Sequence, residues 1–289
     1  MEIMDKKFPK TSINWYPGHM AKTKRLIKEK LDLIDIVYEV IDARIPKSSK
    51  IKDIDELVKN KKRILIMTKT DLCDMTKTKE WINYYKGLGY EVVEVDLING
   101  KNINKILEVS NKVLEDINEK RKQKGLQQRK ARALIIGIPN VGKSTLINRL
   151  VGRKAVNVGN KPGVTKTLDW IRINDKIELL DTPGILWPKF DDEKIAYNLA
   201  SMTAIKEEVL PLDDVCFYIL KKLYNEYPEL LKNRYEIDNI DFDEIVDTLD
   251  IIGKKRGCVI RGGEIDYDKV YNVVLRDLRD GLIGKVTFD

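Results

Sequence analysis

The sequence predicts an α/β protein in which a mostly parallel, doubly wound sheet is followed by a small all-helical domain. Two observations carry this prediction. Between about residues 33 and 180, apolar strand-like runs alternate with amphipathic helical segments, which is the pattern of a parallel sheet covered by helices. After Pro211 the apolar residues recur mainly at helical spacing. We therefore expect two domains, residues 1–210 and residues 211–289.

The individual elements follow from the hydrophobic pattern. Runs rich in Ile and Val indicate buried strands, and apolar residues three or four apart indicate helices. Strands are predicted over residues 33–41, 63–67, 91–95 and 133–136, with a pair of strands near 170–173 and 177–180. Helices are predicted around residues 26–31, 54–58, 79–88, 103–117, 145–150, 213–224, 241–252 and 267–278. Asp241 and Glu244 have the spacing of a capping box at the start of one of them.

Composition narrows the class of protein. The 289 residues are 43% hydrophobic and 34% charged, which is typical of a globular protein. No apolar run approaches the roughly 20 residues of a membrane span, and the first ten residues lack the apolar core of a signal peptide. We expect a cytoplasmic monomer without a membrane partner. Cys73, Cys216, Cys258 and the single His19 are scattered, so the sequence predicts neither a disulfide framework nor a Cys/His zinc site.

The net charge of +7 is unevenly distributed. Residues 212–289 contain 12 basic and 17 acidic side chains, which leaves a net charge of +12 on the rest of the chain. The basic residues concentrate in segments 6–30 and 120–132. Such clusters often form only a solvated face, but two of them in one domain favour a polyanionic partner such as RNA.

Residues 137–145 fit the pattern G-x-x-x-x-G-K-[ST] between a predicted strand and a predicted helix. In this context the glycines allow backbone N–H groups to turn inward, and the helix N-terminus adds the positive end of its dipole. Lys143 is expected to reach the β- and γ-phosphates of a nucleotide, and the Ser144 hydroxyl to hold Mg²⁺. The predicted phosphate-binding residues are Asn140, Val141, Gly142, Lys143, Ser144 and Thr145.

Two later segments are predicted to complete the phosphate and metal site. Asp181 follows a predicted strand in the sequence Asp-Thr-Pro-Gly, and we expect it to hold Mg²⁺ through water while the Gly184 N–H meets the γ-phosphate. Thr165 lies in the irregular stretch before these strands and is expected to add its hydroxyl to the same metal. Both segments are then switch loops, which a nucleoside triphosphate orders and hydrolysis releases.

The tetrapeptide Thr68, Lys69, Thr70 and Asp71 follows the second predicted strand and predicts the selection of a base. The Asp71 carboxylate can accept hydrogen bonds from the N1–H and the 2-amino group of guanine, which adenine does not offer. The aliphatic part of Lys69 is expected to lie over the purine ring. The sequence therefore predicts GTP and GDP as ligands. A T-K-x-D tetrapeptide alone is a weak signal, and it gains weight from the two other motifs.

The order of these motifs is unusual, because the base-selecting tetrapeptide precedes the phosphate motif. A parallel sheet can still bring both to its carboxyl edge, whatever the order of its strands. The order T-K-x-D, G-x-P-N-V-G-K-S-T, P-G-V-T and D-T-P-G resembles the circularly permuted GTPases. Within this group, W-Y-P-G-H-M at 15–20, D-A-R-I-P at 42–46 and K-R-G-C at 255–258 resemble the ribosome biogenesis GTPase A family. The resemblance covers nearly the whole chain.

The resemblance implies a circularly permuted, Ras-like P-loop GTPase domain in which residues 103–132 join the original termini. It also implies a GTPase that assists late maturation of the large ribosomal subunit. Such a protein binds the precursor subunit and its rRNA in the GTP state and leaves after hydrolysis. Two alternatives stay open: a nucleotide-dependent RNA-binding switch with negligible hydrolysis, and an RNA-modifying enzyme that uses GTP.

Further residue roles follow from the resemblance. Ile185 stands where Ras-like enzymes use a glutamine to orient water, so we expect slow turnover that ribosomal particles stimulate. His19 is the candidate catalytic residue, with a helix cap or an RNA contact as the alternative. Asn140 resembles the residue that holds K⁺ in cation-stimulated GTPases, with simple bracing of the loop as the alternative.

Two positions depart from the usual GTPase pattern. The base-selecting motif usually begins with Asn, and we expect Thr68 to lose the bracing contact that the amide makes. At the end of the third strand, a Ser-Ala turn normally offers a backbone N–H to guanine, whereas this chain has Asp96 and Leu97. We assign both residues to the base pocket on position alone.

Overall fold

The computed structural model describes residues 25–156, 170–182, 192–202 and 211–289, apart from the side chains of residues 52 and 53. A six-stranded sheet forms the centre of the molecule, in the spatial order β3-β2-β1-β4-β6-β5. Its strands are β1 (Ile36–Asp42), β2 (Lys62–Thr68), β3 (Glu91–Glu94), β4 (Ala131–Gly137), β5 (Trp170–Arg172) and β6 (Ile177–Leu180). All neighbouring strands are parallel except β5 and β6. The predicted fold class is confirmed.

Nine α-helices lie entirely within the described ranges, and most of them match a predicted segment. They are α1 (Lys52–Val58), α2 (Met75–Gly87), α3 (Ile103–Gln123), α4 (Lys143–Val151), α5 (Glu193–Ser201), α6 (Leu212–Glu226), α7 (Pro228–Tyr235), α8 (Ile245–Arg256) and α9 (Tyr267–Arg279). Residues 25–30 are also helical. None of the helices in the described ranges combines the length and the apolar character that crossing a bilayer requires.

The sheet is covered on both faces. Every residue of β1 is buried, which explains why this strand is a nearly continuous apolar run. Ile41, Leu65 and Met67 pack in one cluster with Ile82 of α2. Alternate residues such as Tyr38 belong to the larger cluster on the other face, where the Tyr38 hydroxyl lies 2.7 Å from the hydroxyl of Ser110 on α3. The period-two alternation is clearest in β2, where Leu65 and Met67 belong to the first cluster and Ile64 and Ile66 belong to the larger one.

The strand order reverses between β1 and β4. From β1 the chain continues outward to β2 and β3, and from β4 it continues in the opposite direction to β5 and β6. In open α/β sheets ligands bind at such a switch point, beyond the carboxyl ends of the strands. The first pairs in register are Ile36 with Lys62 of β2 and Ile36 with Ala133 of β4, so all three strands end at the same edge. The base-selecting motif follows β2 and the phosphate motif follows β4, so both lie at this edge.

The helices differ from the prediction in three details. α5 was not predicted, although Asp192 caps its first turn by accepting a hydrogen bond from the Lys194 N–H. α7 was not predicted, because its eight residues are too few to show a clear period, although Pro228 suits the first turn of a helix. α8 begins at Ile245 and not near 241, and no capping box forms. The Asp241 carboxylate instead accepts a hydrogen bond from the backbone of Asp243. Residues 203–210 lie outside the described residues, so the domain boundary at 210 stays a prediction.

Candidate nucleotide site

The phosphate motif forms a tight loop between β4 and α4. Gly137 ends the strand so close to β1 that an added Cβ atom would lie 2.6 Å from the carbonyl oxygen of Val40. Asn140 and Gly142 both have left-handed backbone angles, with φ of 57° and 103°. Gly142 is the residue before α4, and the helix N-terminus therefore opens directly onto the loop. This is the geometry that the motif predicts for a phosphate loop.

Lys143 is held inside this loop and is only 8% exposed. Its ammonium group donates hydrogen bonds to the carbonyl oxygens of Gly137, at 2.9 Å, and Ile138, at 2.8 Å. Burial lowers the pKa of Lys143 to about 8, and the negative charge of Asp181 opposes this shift. Asp181, the predicted metal ligand, therefore lies near enough to Lys143, the predicted phosphate ligand, for their charges to interact.

The end of β6 positions Asp181. β6 pairs in parallel with β4, with Leu134 opposite Leu180, and the Thr182 hydroxyl donates a hydrogen bond to the Ile135 carbonyl at 2.6 Å. Asp181 is only 3% exposed, and Ser144 on the first turn of α4 is partly exposed. A carboxylate and a hydroxyl are oxygen donors of the kind that Mg²⁺ prefers. The residues present therefore fit a magnesium site.

Thr68 joins the base-selecting loop to the phosphate loop, and this corrects the expectation that its bracing contact is lost. Its hydroxyl lies 2.6 Å from the carbonyl oxygen of Val141 and 3.1 Å from that of Ile41. The shorter threonine can reach Val141 because β1 alone separates β2 from β4 and all three strands end at the same edge. A hydroxyl thus provides the link that we assigned only to an amide.

A cavity of about 760 Å³ brings the predicted residues together. Asp71, Lys69, Leu97, Asn140, Gly142 and Thr145 all contribute to its walls. The base-selecting motif and the phosphate motif therefore face one space, although 65 residues lie between Asp71, which ends the first motif, and Gly137, which begins the second. Lys69 has a left-handed backbone, with φ of 59°, which few residues with side chains adopt. Its ammonium group lies 3.0 Å from the Asp42 carboxylate.

The turn after β3 forms another part of the wall. The Asp96 carboxylate accepts hydrogen bonds from the backbone N–H groups of Ile98, at 2.9 Å, and Asn99, at 2.8 Å. Burial alone would raise the pKa of Asp96, but the hydrogen bonds from Asn99 and Ile98 outweigh it and lower the pKa. Asp96 therefore shapes the turn with its own side chain. Leu97 packs against the phosphate loop, since its Cδ1 lies 3.1 Å from the Cβ position of Gly142.

Sequence reasoning missed the buried pair of Asp42 and Arg44. The Arg44 guanidinium donates from Nε and Nη2 to the two carboxylate oxygens of Asp42, at 3.1 and 2.9 Å. Burial would raise the pKa of Asp42, but the charges of Arg44 and Lys69 hold it well below its ordinary value. The sequence showed these two residues only as part of the family motif D-A-R-I-P, to which we assigned no role.

The helices after Pro211, α6 to α9, form a helical module that also contributes to the cavity, which the sequence did not predict. Arg256 of α8 and Lys269 and Arg276 of α9 face the space that Asp71 lines. The base-selecting loop therefore lies between the sheet and the helices that follow it. Four predicted site residues lie outside the described residues: His19, Thr165, Gly184 and Ile185. Their roles stay predictions.

Comparison with known proteins agrees with this geometry. A family model described as "50S ribosome-binding GTPase" matches residues 132–250, and one described as "RsgA GTPase" matches residues 54–190. Ribosome biogenesis GTPase A of Priestia megaterium is 48% identical over 279 residues, which is 96% of each chain. The chain belongs to the ribosome biogenesis GTPase A family. The protein of the same name from Thermotoga maritima is 31% identical over 96% of this chain and 94% of its own.

Solved structures of the family share the fold. GNP-bound YlqF from T. maritima has a TM-score of 0.65 at 27% identity, over 93% of this chain and 97% of its own. A GDP-bound structure of YlqF gives 0.66 at 26% identity, over 92% and 98%. As a member of the ribosome biogenesis GTPase A family, the chain is a GTP-binding GTPase with a P-loop G domain.

Proposed function

We propose that this GTPase is a cytoplasmic, monomeric assembly factor for the large ribosomal subunit, which binds the precursor and its rRNA in the GTP state and leaves after hydrolysis. The observation that carries the proposal is the single cavity shared by Asp71 and the phosphate loop, together with the family match. The description of the family model as a 50S ribosome-binding GTPase supports the choice of the large subunit. Because members of this family are GTPases, an assembly factor that hydrolyses GTP is favoured over an RNA-binding switch with negligible hydrolysis.

The residue roles in this proposal combine the geometry of the described residues with the sequence motifs that contain Thr165, Gly184 and Ile185. Asp71 reads the guanine base and Lys69 lies over the ring, with Thr70, Asp96 and Leu97 around it. Asn140, Val141, Gly142, Lys143, Ser144 and Thr145 hold the phosphates. Ser144, Thr165 and Asp181 would hold Mg²⁺, which when bound neutralises charge on the β- and γ-phosphates. Asn140 is the candidate ligand for K⁺, and Gly184 and Ile185 belong to the switch after Asp181.

The excess of basic over acidic residues in the first part of the chain supports an RNA partner. The net positive charge of residues 1–211 gives the partner's phosphates a place to bind. His19 is proposed to complete the catalytic site when the particle is bound, because Ile185 cannot orient water. We therefore expect stimulation of GTP turnover by ribosomal particles.

Sedimentation with immature large subunits tests the proposal. The protein should pellet with the particles in a non-hydrolysable GTP analogue and stay in the supernatant with GDP. The matched control is Asp71→Asn. Its amide oxygen can accept from N1–H of either base, and its NH2 group can then donate to the 2-oxo group of xanthine but faces the 2-amino group of guanine as donor against donor. This variant should pellet with a xanthosine triphosphate analogue and not with the GTP analogue. Equal pelleting of the native protein in GDP and the GTP analogue would overturn the switch.

A further inference from the structure

We propose that Arg44 and the C-terminal segment 281–289 are positioning elements for the base-selecting loop. They hold residues 68–72 in the conformation that recognises guanine, and they make base selection depend on the helical module. The inference rests on the proposed role of Asp71. It assigns to the end of the chain a part in nucleotide specificity, although that segment contributes no residue to the base pocket itself.

The loop needs support from outside, because its own sequence does not favour its shape. Lys69 stands in the left-handed region, which is unfavourable for a residue with a Cβ atom and persists only where the surroundings impose it. The contact that holds Lys69 in this conformation is its ion pair with Asp42, at 3.0 Å. Asp42 is itself only 2% exposed, so water cannot compensate the charge of its carboxylate and the neighbouring cations must do so.

Arg44 connects this ion pair to the end of the chain. Its fork of donors satisfies Asp42 through Nε and Nη2 and, through Nη1, donates to the backbone carbonyl of Arg279 at the end of α9, at 3.2 Å. The Arg44 carbonyl accepts a hydrogen bond from the Phe288 N–H at 2.8 Å. A lysine at this position could keep a charge beside Asp42 but could not make this set of contacts.

The C-terminal segment also touches the loop directly. The Val286 N–H donates to the Leu72 carbonyl at 3.2 Å, one residue after Asp71. Gly281 packs against the Leu72 side chain so closely that an added Cβ atom would lie 2.7 Å from Leu72 Cδ2. The Thr287 hydroxyl lies 3.0 Å from that of Thr78 on α2. Segment 281–289 therefore contacts the end of the base-selecting loop at Leu72 and the first turn of α2 at Thr78.

The same segment is anchored to helices that follow the sheet. The Tyr227 hydroxyl, between α6 and α7, accepts a hydrogen bond from the Thr287 N–H at 2.9 Å. The Asp289 carboxylate accepts hydrogen bonds from the Ser48 backbone N–H, at 2.7 Å, and from the Asn198 side chain on α5, at 2.8 Å. A partner that shifts these helices would change the support of the loop, and by reciprocity nucleotide binding must change the stability of the segment.

Hydrogen exchange of the native protein tests this reciprocity without any substitution. GDP should slow amide exchange at Val286 and Phe288 by about tenfold more than it slows exchange in residues 112–120 of α3, because ligand binding stabilises the segment that supports the loop. Equal slowing in the two segments would be global stabilisation alone and would overturn the proposal.

A base-preference measurement tests Arg44 itself. The ratio of the affinities for GDP and IDP reports the hydrogen bond from the 2-amino group of guanine to Asp71. Arg44→Lys should reduce this ratio by about tenfold, the equivalent of one hydrogen bond. The matched control is Arg63→Lys at the start of β2, a part-buried arginine that pairs with Glu39 and Asp55 away from the loop. It should lower stability and leave the ratio unchanged.

Asp71→Asn distinguishes a failure of the base-reading role of Asp71 from a failure of the positioning role of Arg44. If this variant keeps the native preference for GDP over IDP, the assignment of Asp71 is wrong and the inference falls with it. If Asp71→Asn removes the preference while Arg44→Lys retains it, Asp71 reads the base and only the positioning role of Arg44 is overturned. A reduced ratio in Arg44→Lys, with an unchanged ratio in Arg63→Lys, supports the inference.

Discussion

The phosphate loop and the base-selecting loop both follow a parallel strand, but they are supported differently. In the phosphate loop, Lys143 binds the carbonyls of Gly137 and Ile138, a few residues earlier in the chain. In the base-selecting loop, Lys69 is held by Asp42 of another strand and Leu72 by Val286 near the end of the chain. A loop supported by its own neighbours can be recognised from a short motif. A loop supported from a distance depends on the whole fold.

Lys143→Met, in the locally supported loop, should have a larger effect on nucleotide binding than any other substitution at the site. It removes the charge expected to meet the phosphates, so GTP affinity and turnover should fall by at least about a hundredfold. The unfolding midpoint should stay constant or rise, because a buried ammonium group is replaced by an apolar chain. Nucleotide fluorescence titration and thermal circular dichroism measure the two effects. Lys59→Met, on an exposed side chain, is the control. GTP affinity near the native value would contradict the local role of Lys143.

Gly137→Ala tests the close approach of the phosphate loop to β1. The added methyl would lie 2.6 Å from the Val40 carbonyl, so the backbone has to move, and we expect a loss of about 2–3 kcal/mol in the free energy of unfolding. Gly87→Ala at the end of α2 meets nothing within 4 Å and should be neutral or slightly stabilising. Urea denaturation of both variants gives the comparison, and equal midpoints would show that the contact is not restrictive.

Thr68→Val removes the hydroxyl that links the two loops. The Val141 carbonyl loses its hydroxyl partner, which should cost about 1–2 kcal/mol in unfolding free energy and weaken GDP binding by roughly tenfold. Thr248→Val, at a buried threonine of α8, is the control for the general cost of the substitution. Calorimetry with GDP measures the binding. An unchanged affinity would mean that the loops are positioned independently.

The smallest expected effect is a pH dependence of nucleotide affinity. Burial lowers the pKa of Lys143 to about 8, so raising the pH from 7 to 8.5 deprotonates the ammonium group in the free protein. Phosphate binding needs the charged form, and GDP must then bind with uptake of a proton. The affinity should fall by roughly fourfold over this range. Lys143→Met should show a flat profile, and a flat profile in the native protein would contradict the assignment.

The same pKa sets the sign of a stability effect. Between pH 8 and the ordinary pKa of lysine, the unfolded chain binds a proton that the native protein does not. The contribution of Lys143 to stability therefore rises with pH in this window and is absent from Lys143→Met.

Much of the fold was predictable because its signals are local. Buried parallel strands are apolar throughout, and the helix period is visible in segments as long as α3. The eight-residue α7 was missed because a short helix shows too few turns to separate it from a loop. Thr68 was misjudged because the side chain's reach depends on the spacing of β2 and β4 across β1, which no local pattern records.

The sequence by itself determined the α/β class and the phosphate loop, because each depends on residues that are close together in the chain. It also determined the family, because each family motif is short and the order of the motifs can be read along the chain. Tertiary structure alone decided that Arg44 joins Asp42 to the Arg279 carbonyl, that segment 281–289 supports the base-selecting loop, and that α8 and α9 line the cavity. Those contacts join residues more than 200 positions apart in several cases. Their existence follows from how the strands and helices pack, and no short motif encodes it.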